Sequence, residues 1–79
     1  MLNLLRSSSR LDLLLEEKPE ALEQVTQLIH EAGGKIIDVA LGPSQGGKRS
    51  YYFRLSKCEL TPIIDTLEAH GHQVLDFIP

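Results

Sequence analysis

Two prolines and two glycine stops frame this chain. Pro19 opens a stretch that ends at Gly33-Gly34, and Pro62 lies near the start of a second that ends at Gly71. Proline is tolerated in the first turn of a helix, where its missing N–H has no intrahelical partner to lose. Glycine ends a helix readily because it enters the left-handed conformation without a Cβ clash. Within the first stretch Leu22, Val25, Leu28, Ile29 and Ala32 recur at three- and four-residue spacing, with Glu23, Gln24, Gln27 and Glu31 on the opposite side. Leu60, Ile63, Ile64 and Leu67 form a similar stripe in the second. Both stretches predict amphipathic helices that must cover an apolar surface elsewhere.

The segments around them have a period of two. From Arg10 to Glu16, Leu11, Leu13 and Leu15 alternate with polar residues, and only Leu14 breaks the pattern. In "KIIDVALG", Ile37, Val39 and Leu41 are expected on one apolar face and Ile36, Asp38 and Ala40 on the other. In "KRSYYFRL", Tyr51, Phe53 and Leu55 alternate with Ser50, Tyr52 and Arg54. "HQVLDFI" predicts a last strand with Leu75 and Phe77 inward, since the other register would carry Asp76 into the core. "GPSQGG" is longer than a two-residue hairpin and predicts a flexible loop between antiparallel strands.

The order is strand, helix, strand, strand, helix, strand. Two right-handed βαβ units in this order give an α+β, ferredoxin-like domain, a four-stranded antiparallel sheet with both helices on one face. The other face is left open, with Leu14, Ile36, Ala40 and Tyr52 expected on it. That face, or an edge strand, is where a second copy is expected to pack. Met1–Ser9 reads as a tail or linker before a domain over residues 10–79.

Charge and motif spacing narrow the function. Eight Lys and Arg against eleven Asp and Glu leave a net charge of -3, which argues against tracking nucleic-acid phosphates or anionic lipid. The apolar runs fall short of the roughly 20 residues of a membrane span, and "MLNLL" is too short for a signal peptide, so the expectation is a soluble, cytoplasmic domain. The single cysteine, Cys58, reads as a reduced thiol near a helix start. His70 and His72 flank Gly71 and read as exposed turn residues, with no metal site, and His30 reads as a surface residue. "GPSQGGK" lacks the spacing of a phosphate-binding loop, and no nucleophile–base motif or cofactor motif is present, so the chain reads as non-enzymatic. "RSYYFRL" partly matches the third strand of RNA-recognition modules through Arg49, Tyr51 and Phe53, but Ser50 and Tyr52 replace small residues there, and the first strand has no stacking aromatic.

"RLDLLLEEKPEALEQVTQLIHEAGGKIIDV" resembles the first half of an ACT domain. Pro19, Leu22, Val25, Ile29, Gly34, Ile36 or Ile37, and Val39 fall where that family's pattern places them, and "YYFRL" with "PIIDTLEAHGHQVLDFIP" fits the second half. "EALEQVTQLIHEAGGKIIDV" after the lead-in "LLRSSSR" is also similar to the ACT module that follows two CBS motifs in acetoin-utilisation-type proteins. The resemblance implies a regulatory, ligand-sensing homodimer. An amino acid or similar small metabolite would bind at the first strand–helix loop, Glu16, Glu17, Lys18, Pro19, Glu20, Ala21 and Leu22, and act on a CBS or enzyme domain attached before Arg10. The chain departs from the family at Glu20, where a glycine is usual. Glu16, Glu17, Glu20 and Glu23 are expected to crowd the helix start, favouring the helix dipole and opposing a ligand carboxylate. The alternatives are a structural dimerisation module without ligand and an RNA-binding domain.

Overall fold

The computed structural model describes residues 8–79, so the expected linker lies outside the described residues as far as Ser7. The chain runs through β1 (Ser8–Glu16), α1 (Pro19–Glu31), β2 (Ile36–Gln45), β3 (Lys48–Ser56), α2 (Thr61–Ala69) and β4 (Gln73–Ile78). The strands form one antiparallel sheet in the order β2-β3-β1-β4. This is the expected ferredoxin-like fold. β1 starts two residues before the expected Arg10, at Ser8.

The core sits between the two central strands and the helices. Leu11, Leu13 and Leu15 of β1 and Tyr51, Phe53 and Leu55 of β3 are buried, and they pack with Val25 and Ile29 of α1 and Ile63 and Leu67 of α2. Helix and strand periods thus meet on one face, as the alternation requires. Gly34 follows α1 at a point of close approach, where a Cβ would lie 2.6 Å from Ile29 and 3.0 Å from Ile63.

The edge strands depart from the expectation, because bulges change which residues share a face. In β2 the register shifts between Ile36 and Asp38, so Ile36 lies across from Leu55 and packs against the core, not on the open face. Val39 and Leu41 lie across from Phe53 and Tyr51, beyond the cover of the helices. Ile37, Val39 and Leu41 are 48%, 38% and 66% exposed. In β4 a second irregularity, between the partners of Asp12 and Leu13, separates Val74 from Asp76. Val74 packs inward; Phe77 lies across from Leu11 on the inner face, as expected, but stays 49% exposed, and Leu75 is 45% exposed.

"GPSQGG" is mostly strand. β2 continues through Gln45 and β3 begins at Lys48, so the connection is the two-residue turn Gly46–Gly47. Both glycines have positive φ, 62° and 81°, the requirement of a tight hairpin whose twist matches its strands. Pro43 is tolerated because β2 is an edge strand that needs hydrogen bonds on one side only.

Phe53 and Leu41 separate the core from the edge experimentally. Phe53→Ala is expected to lower stability by about 3–5 kcal/mol in urea unfolding. Leu41→Ala in the dilute chain should change it by no more than about 0.5 kcal/mol. Equal losses would place the core elsewhere.

Candidate functional site

The loop between β1 and α1 is held by long-range contacts. Lys18, the residue before α1, has extended backbone and no side-chain cap, and Pro19 follows in the first turn. The Glu17 amide donates to the Gly47 carbonyl at 2.9 Å, joining the loop to the β2–β3 hairpin. The Glu17 carboxylate accepts from the Ser44 hydroxyl and from Arg49 Nε and Nη2, at 3.1 and 2.9 Å, while Arg49 Nη1 donates to the Gly42 carbonyl at 2.9 Å. The Ser44 hydrogen bond and the Arg49 guanidinium hold the Glu17 carboxyl below the usual carboxylate range.

These contacts disperse the expected acidic cluster. Glu17 faces the hairpin, Glu16 pairs with Lys18 Nζ at 3.1 Å, and Glu20 is the one acidic residue in the first turn of α1. A cavity of about 540 Å³ opens beside the loop. Glu16, Lys18, Glu20 and Ala21 line it, but the other expected site residues do not. Glu17, Pro19 and Leu22 border a smaller hollow of about 300 Å³ against Tyr51, which Lys18 also reaches.

The far wall of the cavity comes from the turn between α2 and β4. His70, Gly71, His72 and Gln73 contribute there, with Lys48 from β3 and Gln24 from α1. His70 is an exposed turn residue, as expected, while His72 is drawn against α1. His70 Nδ1 donates to the Thr66 carbonyl at 2.9 Å, and His72 Nε2 donates to the Gln24 side-chain oxygen at 3.1 Å. His72 is half-buried, and burial followed by repulsion from His70 pushes its pKa below the ordinary imidazole value. The signal for this wall lay in the topology: β1 pairs with β4, and Leu14 lies across from Gln73, so the turn before β4 must sit beside the loop after β1.

The open face of the sheet is polar where an apolar patch was expected. Leu14 and Ala40 are accompanied there by Arg10, Asp12, Asp38, Tyr52 and Arg54, across from one another in the register. Arg10 grips Asp12 through Nε and Nη2 at 2.9 and 3.1 Å and lies 5.2 Å from the centre of the Tyr52 ring, and Arg54 pairs with Asp38. A hollow of about 620 Å³ opens on this face. Its two arginines are already engaged within the fold, whereas Lys48 beside the first cavity makes no ion pair among the described residues.

Tyr51 and Phe53, the aromatics of the RNA-recognition reading, lie buried beneath the helices and are not displayed to bases. Among the described residues no three His, Cys, Asp or Glu side chains gather as a metal site, and no helix is long and apolar enough to cross a membrane.

No protein-family model matches the chain, and no curated protein matches it in sequence. Its fold is similar to the crystal structure of the regulatory subunit of aspartate kinase from Thermus thermophilus in its ligand-free form. The TM-score is 0.70 and the identity 16%, over 87% of this chain and 49% of that one. The chain thus spans about half the length of that structure. At this identity the likeness establishes the shared fold.

The tie at Glu17 has a pH signature. A carboxyl whose pKa is depressed in the folded state favours folding above its unfolded pKa, and the contribution disappears as pH falls through the folded value. Glu17→Gln is therefore expected to unfold at lower urea than the parent chain at neutral pH, with the gap closing as the solution is acidified. A gap of constant size down to about pH 3 would show that the pairing adds nothing to stability.

Proposed function

We propose that this chain is a non-catalytic regulatory module of the ACT type, which pairs with a second copy and takes a small metabolite beside the β1–α1 loop. The observation that carries this reading is the cavity itself. It lies where strand β1 ends and helix α1 begins, and both charge signs line it: Glu16 and Glu20 with Lys18 and Lys48. Such a lining suits a ligand with an ammonium and an acidic group, such as an amino acid or a similar metabolite. The N-terminus of α1 adds partial positive charge on the same side. Glu20, in place of the family's usual glycine, narrows the approach to the backbone, so a simple α-amino acid is expected to bind weakly.

In this reading an effector changes how two copies sit against each other and so biases a domain attached before residue 10, whether a CBS pair or an enzyme. It does so only by binding the two arrangements with different affinity. A second reading, a structural dimerisation module with no ligand, is favoured by the exposed apolar residues on the two outer strands, Ile37, Val39 and Leu41 on β2 and Leu75, Phe77 and Ile78 on β4.

An amide NMR titration with the common amino acids and nucleotides, run beside sedimentation velocity, separates these readings. The regulatory reading expects at least one compound to shift the amides of Lys18–Ala21 together with His72 and Gln73, and the chain to sediment as a dimer. A dimer that no compound perturbs is the structural module. A strict monomer at millimolar concentration would overturn both.

A further inference from the structure

We propose that the cavity between the β1–α1 loop and the α2–β4 turn is a proton-coupled anion site, in which His72 admits a small anionic group only on taking up a proton. This rests on the ligand site proposed above and adds the charge class of the ligand and the means by which solution pH controls it.

The charges around the cavity decide the matter. The β1–α1 loop brings Glu16, Lys18 and Glu20, β3 brings Lys48, α1 brings the uncharged Gln24, and the α2–β4 turn brings the two imidazoles. Two carboxylates and two ammonium groups cancel. The sign of the cavity therefore turns on His72, whose imidazole is suited to change charge near neutrality.

Hydrogen-bond geometry sets what each imidazole can offer. The Thr66 carbonyl can only accept, so Nδ1 of His70 carries the proton, and its Nε2 has none while the ring is neutral. The Gln24 side-chain oxygen likewise takes the proton on Nε2 of His72, leaving Nδ1 bare. In the neutral state each ring has its one N–H engaged within the fold and a lone pair left over. That lone pair repels an anionic oxygen. Adding one proton to His72 turns its Nδ1 into a charged donor without breaking the bond to Gln24, and charge-assisted bonds to oxyanions are the stronger kind.

Burial and His70 resist charging of His72 in the empty cavity. An anion in the cavity offsets both effects, so anion binding and protonation of His72 must favour each other to the same degree. Below the ordinary imidazole pKa the empty site loses folding stability through His72, since the unfolded chain binds that proton more readily. Anion binding returns it.

Sulfate is the probe, because its charge is constant across the imidazole range. Amide NMR titrations with sodium sulfate, against sodium chloride at matched ionic strength, are expected at about pH 5.5 to shift Lys18–Ala21 and His70–Gln73. At about pH 8 the apparent affinity should fall at least about tenfold. The ring signals of His72 in the parent chain should titrate at higher pH in saturating sulfate than in chloride. His72→Gln should remove the pH dependence. Sulfate shifts of equal size at both pH values, shifts confined to other residues, or a His72 titration that ignores sulfate would overturn the proposal. The metabolite titration of the preceding section is read separately. A metabolite that shifts the cavity amides equally at both pH values, with sulfate inert, leaves the regulatory reading standing and removes the proton coupling. Proton-coupled sulfate binding with no metabolite effect keeps the anion site and removes the regulatory reading.

Discussion

The register of β1 is the constraint on which the rest of this structure depends. The strand is hydrogen-bonded on both sides, to β3 over its whole length from Ser8 across from Ser56 to Glu16 across from Lys48, and to β4 from Arg10 to Leu14. Its inward face holds Leu11, Leu13 and Leu15 against both helices, and its outward face holds Arg10 and Asp12. A slip of one residue would place a charge pair in the core and leucines in water. Asp12 is only 8% exposed even in its proper place, and the two hydrogen bonds from Arg10 are what make a largely desolvated carboxylate tolerable there. The same register fixes where β1 ends, and so where the loop and its cavity can lie.

How much of this could be read in the sequence follows from position in the sheet. The central strands were legible because burial on one face enforces strict alternation: Leu11, Leu13 and Leu15, and Tyr51, Phe53 and Leu55. The edges were not. Ile37, Val39 and Leu41 alternate as cleanly as any core strand, yet the helices do not reach them, and the bulge at Ile36–Asp38 shifts the faces by one residue. The same reason undid the argument from Asp76. An irregularity in β4 lets Val74 face the core without carrying the aspartate along, which a strict period of two forbids. "GPSQGG" has the composition of a loop, but glycine, serine and proline are also admissible along an edge strand ending in a two-glycine turn.

The place of the β1–α1 loop in the fold was legible, and the partners of its charges were not. Proline after a strand places a helix N-terminus, and the order of elements places the loop at one end of the sheet. The crowding of glutamates seemed to follow from adjacency in sequence. In space, Glu17 is drawn away by partners 27 and 32 residues distant, Ser44 and Arg49, and Glu16 finds its own counter-ion in Lys18. Local sequence shows how many charges a loop carries, while tertiary contacts decide which of them a ligand would meet. His72 illustrates the reverse case: in sequence it is a turn histidine beside a glycine, and in the fold it is half-buried against α1, bonded to Gln24 across 48 residues.

The Glu17–Arg49–Ser44 cluster also gives the fold a physical link between the loop and an outer edge of the sheet. Ser44 belongs to β2 and Arg49 to β3, and Arg49 continues to the Gly42 carbonyl on the apolar edge strand. A displacement of Glu17 by a ligand in the neighbouring cavity would have to break charge-assisted bonds or carry the hairpin with it. Packed and hydrogen-bonded elements do not yield continuously, so the second course moves the strand that displays Ile37, Val39 and Leu41. In the regulatory function proposed above, such a tie would be the route of coupling, because an effector transmits free energy only through a segment whose two arrangements it can tell apart.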